Sequence, residues 1–321
     1  MKRLSVFLSV ILAINVASAG SEREALPENY EKALELIHAF SGAGDELQRA
    51  TELANALLSS HPDKGYAQAL QAEMLSTWRL NQQGQPEALR AHILYLADEA
   101  LRLNPRLAQA HVARGRALLR ASDYDQAGKA IDAALKIDPG LVGAYFLRAE
   151  ILRRTKRVSE AETWYLKFIE HTPSATRKSN AYYWLAMLYR AAAWDQPTQW
   201  ATFVAKARAA HEKMIELDPN GAWKLVNFAI FLNNEAADFQ AAELYAQSAL
   251  NIMEFPMARY HLAIARYQKL LSATAKLQGP ALKEAAAQVR ESTGVSLEEA
   301  IEFSRSSPAM LGRLERLHAR L

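Results

Sequence analysis

Through the middle of the chain, small and apolar residues recur at helical spacing in paired segments. Ala127, Ile131 and Ala134 repeat at steps of four and three, one face of a helix. The pattern predicts one helix through "AQAHVARGRALLR", from Ala108. Asp123-Tyr124 opens a second, "DQAGKAIDAALKI", which stops at Asp138-Pro139. The same phrasing returns at a fixed interval. "ALRLNP", "ALKIDP" and "FIEHTP" end at Pro105, Pro139 and Pro173, each 34 residues apart. "MIELDP" ends at Pro219, 46 residues further on, one period plus an insertion of 12. A period near 34 marks a stacked array of helix pairs, not a closed catalytic domain.

The unit from Ala108 to Leu141 resembles a tetratricopeptide repeat (TPR). Numbered from Ala108, Gly115 takes the family's small position 8 and Ala127 its position 20. Ile131 is the bulky residue at 24, Ala134 the alanine at 27, and Pro139 the proline at 32. Small residues let the two helices approach closely, and proline stops the second. The next unit, Val142 to Ala175, keeps Ala149, Ala161, Tyr165 and Pro173 in frame, with Phe168 replacing the second alanine. A third carries Tyr182, Leu185, Ala186 and Tyr189, then a long connection, "AAAWDQPTQWATF". The resemblance implies an all-α, TPR-type helical solenoid of five to six helix pairs over residues 20–272. Residues 273–321 are expected as C-terminal capping helices. There, Ser296 to Glu299 spells a capping box. Ser307-Pro308 opens a last helix with an apolar stripe of Met310, Leu311, Leu314, Leu317 and Leu321.

Composition changes this picture mainly at the N-terminus. Met1-Lys2-Arg3, an apolar run from Leu4 to Val16, and Ala17-Ser18-Ala19 read as a signal peptide over residues 1–19, cleaved before Gly20. The expected location is periplasmic or secreted, with membrane contact only before cleavage. The chain has no cysteine, which excludes disulfides and thiol chemistry and suits a bacterial periplasm. Loss of Lys2 and Arg3 takes the net charge from +3 to +1, with 36 basic against 35 acidic residues. Bulk charge therefore predicts neither nucleic acid nor a strongly acidic surface as partner.

Catalytic spacing is absent from the sequence. No G-x-S-x-G, H-E-x-x-H, phosphate-loop or dinucleotide-binding pattern occurs. None of the eight histidines pairs with another at i, i+4. No enzyme activity, cofactor or metal is expected.

Two groups of residues point to binding surface. Arg116, Arg120, Arg153 and Arg154 lie on the first helices of the two central units. There they can receive carboxylates or phosphates, unless Glu150, Asp123 and Asp125 neutralise them. Aromatic density rises later, and Tyr183, Met187, Trp223 and Ile230 fall at positions that face the groove in the family. The family's carboxylate clamp does not carry over: its positions hold Gln109, Ala113, Gly143 and Leu147. The expected function is an exported scaffold that holds a protein or peptide partner in its concave groove. An alternative stays open. The stretch from Tyr182 to Ala222 is similar to the T component of TRAP-type transporters. That resemblance implies a periplasmic accessory protein with an apolar ligand channel and a solute-receptor partner.

Overall fold

The computed structural model describes residues 26–39, 45–78, 87–273, 277 and 279–321. The expected signal peptide and its cleavage point before Gly20 lie outside these residues. The described chain forms helices and no strand. They pack as successive antiparallel pairs: α1 (Glu28–Ala39) with α2 (Glu46–Ser60), α3 (Tyr66–Trp78) with α4 (Glu87–Leu103), and α5 (Ala108–Arg120) with α6 (Tyr124–Ile137). They continue as α7 (Val142–Arg154) with α8 (Val158–His171), α9 (Ala175–Asp195) with α10 (Trp200–Leu217), and α11 (Ala222–Phe231) with α12 (Phe239–Ile252). Four helices follow: α13 (Pro256–Ala273), α14 (Pro280–Thr293), α15 (Leu297–Phe303) and α16 (Pro308–His318). No described helix is long and apolar enough to cross a membrane.

The small residues act as their spacing predicts. Ala127, Ala134 and Ala161 are completely buried between the helices of their units. Gly115 lies so close to Ile131 that a Cβ there would stand 2.7 Å from the Ile131 Cδ1. Position 8 must be small because position 24 is large. Ala127→Leu therefore overpacks the α5–α6 contact and lowers stability by roughly 1–3 kcal/mol. A thermal melt checks this, and an unchanged midpoint contradicts the repeat frame.

The turns repeat with the same period as the helices. Within each central unit the first helix ends in a left-handed residue, Ser122 at φ 62° and Lys156 at φ 60°. Both turns close by the same bond, Asp123 N–H to the Leu118 carbonyl and Arg157 N–H to the Leu152 carbonyl. Between units, Leu107 donates to Asn104 and Leu141 to Asp138 across the proline turn. Asp123, Ser174 and Asp238 cap the helices that follow them by accepting a backbone N–H.

The third unit departs from the period. Its inserted residues lengthen α9 and α10, and Trp194 and Trp200 meet edge to face at the connection, 4.8 Å apart. Beyond α11 the chain makes one π-helical turn, Leu232–Ala236, and escapes through Ala237 in the left-handed region. This turn meets a buried polar junction. His211 is fully buried, stacked on Phe228 at 5.1 Å, and neither ring nitrogen has a hydrogen-bond partner among the described residues. The Asn233 side chain donates to the His261 carbonyl, Arg190 pairs with Glu235 at 2.6 Å, and Arg313 of α16 donates to the Asn233 carbonyl.

The last helices close the end of the stack. Met310, Leu314 and Leu317 of α16 are buried in one cluster with Ile264 and Tyr267 of α13. The Ser296 capping box forms as predicted. Ser307 precedes the first turn of α16, but its side chain makes no capping bond.

Candidate functional site

The helices of the central units leave a groove of about 510 Å³. Its lining comes from α5, α7 and α9, with Thr77 from α3, Phe168 from α8 and Trp223 from α11. The solenoid register explains this convergence. Arg116, Glu150 and Trp184 stand one 34-residue period apart, and so do Arg120 and Arg154. Equivalent positions of stacked units line up along one inner face.

Five of the predicted residues meet there: Arg116, Arg120, Arg154, Tyr183 and Trp223. Three do not line the groove. Arg153 folds back onto Glu150 with two bonds, at 3.0 and 2.8 Å, and its guanidinium lies 4.8 Å from the centre of the Trp184 ring. Met187 is half-buried and receives the Arg190 side chain at 3.8 Å. Ile230 packs against the core cluster of Leu225, Val226, Ala249 and Ala258. The groove also takes Arg177, Asn180, Trp184 and Phe146, which the sequence reading did not single out as a site. Spacing carried a signal for Trp184, which follows Glu150 by one period. Arg177 sits in the first turn of α9, one period after Gly143, so spacing carried a signal for it too.

Arg116 is neither solvated nor paired with Asp123 or Asp125. Its guanidinium bonds Glu73 at 3.2 Å, Ser76 Oγ at 2.6 Å and Thr77 Oγ1 at 2.8 Å. Glu73 is only 2% exposed and also meets the His38 ring at 3.1 Å. Burial tends to raise the Glu73 carboxyl, but the Arg116 charge and the His38 hydrogen bond outweigh it and hold it at about 2. Glu150 is the second such anchor. It accepts from Arg153 and from the Tyr165 hydroxyl. Burial and the adjacent carboxylate push Tyr165 well above its ordinary value. Glu73 beneath the groove and Glu150 in its lining are thus both held by internal partners.

The remaining arginines crowd one another. Partial burial lowers Arg120 below its usual value, and the nearby Arg154 charge lowers it further. Burial and the Arg116 charge do the same to Arg177. The same groove carries an aromatic wall. Tyr183 meets Trp184 at 5.0 Å and Trp223 at 4.9 Å, edge to face in both cases. Trp223 stays 42% exposed. Cationic rim and aromatic wall together suit a ligand with both charge and apolar surface.

No protein-family model matches the chain, and no curated protein matches it. Solved structures do. A human IFIT1 dimer with m7Gppp-AAAA aligns over 91% of this chain and 71% of its own, at 16% identity and a TM-score of 0.54. YrrB, described as a TPR protein with an unusual peptide-binding site, aligns over 65% of this chain and 96% of its own, at 15% identity and a TM-score of 0.45. MamA from Desulfovibrio magneticus RS-1 aligns over 58% and 94%, at 19% identity and 0.44. At these identities the likeness concerns the fold alone. The comparisons do not show the similarity to the transporter T component. With the 34-residue register, the Gly115–Ile131 contact and the repeated turns, this chain is a helical solenoid of the tetratricopeptide-repeat type.

Proposed function

We propose that the protein is an exported, non-catalytic scaffold that holds a peptide segment of another envelope protein in its central groove. One observation carries the reading. A groove of about 510 Å³ brings an exposed tryptophan and a half-buried tyrosine beside an arginine-rich rim. Aromatic and arginine side chains in a concave site are the usual anchors of protein recognition. Export rests on the N-terminal pattern of residues 1–19.

The test uses a partner recovered by affinity capture from an envelope extract and identified by mass spectrometry. Titrated against Tyr183→Ala/Trp223→Ala, it binds about tenfold or more weaker than to the wild type, as loss of buried aromatic anchors predicts. The loss persists at high salt, because apolar contact is not screened. Equal affinity for both proteins moves binding to the convex face or the C-terminal helices.

A further inference from the structure

The four arginines around the groove differ in what they already hold. Arg116 has its charge met by Glu73 beneath it. The Arg154 and Arg177 guanidinium groups have no ion-pair or hydrogen-bond partner among the described residues. Glu150, the one carboxylate in the groove's lining, is already held by Arg153 and Tyr165. Arg120 stands one period before Arg154 on the adjoining unit, and the two charges work against each other. Arg154 and Arg177 therefore place unmet positive charge in the groove of a chain whose mature net charge is only +1.

We infer that this rim selects an acidic peptide, whose carboxylates meet Arg154 and Arg177 while an apolar side chain packs on Trp184 and Trp223. The inference rests on the peptide-binding reading above and gives its ligand a charge class. Arginine suits the task because its planar fork bonds both oxygens of a carboxylate. The aromatic wall of the same groove favours a chain that also carries an aromatic or aliphatic residue. A nucleic acid fits less well. It needs a basic track along an extended surface, whereas this charge is confined to one concavity in a nearly neutral protein. The repeat supplies the specificity. Position 9 changes from arginine to glutamate to tryptophan over three units, while position 13 keeps arginine at Arg120 and Arg154. A ligand lying along the inner face thus meets a cationic row beside a floor whose charges are already met.

The experiment selects random twelve-residue peptides on the full mature chain and repeats the selection on Arg154→Gln/Arg177→Gln. Wild-type protein enriches Asp or Glu beside an aromatic or aliphatic residue, and the variant loses the acidic enrichment. A selected peptide then binds at least about tenfold weaker when its acids become amides, or when the variant replaces the wild type, and both differences shrink as salt rises. Both arginines lie on the surface of the groove, so the variant melts with the wild type. Enriched peptides without acidic residues, still sensitive to Trp223→Ala, overturn the charge class and leave the peptide reading standing. No enrichment at all removes both. Tighter binding of a single-stranded RNA oligomer, lost in the same arginine variant, replaces the peptide with nucleic acid and also overturns the inference.

Discussion

Arg116→Ala lowers the unfolding free energy by about 3 kcal/mol and leaves any binding at the outer rim largely intact. The sequence places Arg116 on the groove, where truncation ought to weaken a partner and spare the fold. The structure reverses that expectation. The Arg116 side chain is 14% exposed and is the main counter-charge of Glu73, which is 2% exposed. Removing one partner strands a buried carboxylate, and the cost of such an orphan is about 3–5 kcal/mol. His38 remains beside Glu73 as a weaker partner, so the lower end applies. Replacing both members at once, Glu73→Leu with Arg116→Leu, removes the stranded charge and recovers most of the loss. Chemical denaturation of the three proteins checks this. A wild-type midpoint for Arg116→Ala places Glu73 in contact with water and refutes the account. The contrast with Arg154→Gln/Arg177→Gln is then diagnostic: one arginine holds the fold together, and two face the groove.

The difference between these arginines was not legible in the sequence. Period and residue type put Arg116, Arg120 and Arg154 on one inner face, and the structure agrees. Which of them is already neutralised depends on α3, whose sequence matches the repeat poorly. Glu73 lies 43 residues from Arg116, so no local spacing connects them. Arg153 was readable, because Glu150 precedes it by one helical turn. Ile230 shows the converse error: a groove-facing position in the family packs here against Leu225, Val226, Ala249 and Ala258, a contact across helices that spacing does not reveal. The fold itself was legible because each contact of the repeat is local: Gly115 against Ile131, and Ser122 and Lys156 a period apart in the same turn. The binding rim joins first helices of successive units, and Arg177 joins it from the start of α9, one period after Gly143.

Acid weakens the C-terminal half of the solenoid before the N-terminal half. Burial, reinforced by the Arg190 charge, lowers His211 to about 3 and His261 to about 4. Both stay neutral in the folded chain at pH 5, whereas an unfolded histidine takes up its proton near 6.5. The unfolded state therefore binds more protons below pH 6.5, so stability falls as pH falls. Each histidine contributes a slope of about 1.4 kcal/mol per pH unit between 6.5 and its folded value. Going from pH 7 to pH 5 then removes about 4 kcal/mol from the two together. The groups around them set the direction. Arg190 adds repulsion to an incoming charge, and no carboxylate hydrogen-bonds either ring among the described residues. Glu235, paired with Arg190, works in the opposite sense, because burial raises its carboxyl. Single and double His211→Leu and His261→Leu variants isolate the histidine contribution, each flattening the slope of its own residue. In a stacked array each unit contacts mainly its neighbours, so the loss stays regional. Amide exchange at pH 5 accelerates first in α10, α11 and α13, while α7 and α8 keep their protection. Uniform acceleration along the chain, or a slope unchanged in the double variant, refutes the assignment to this junction.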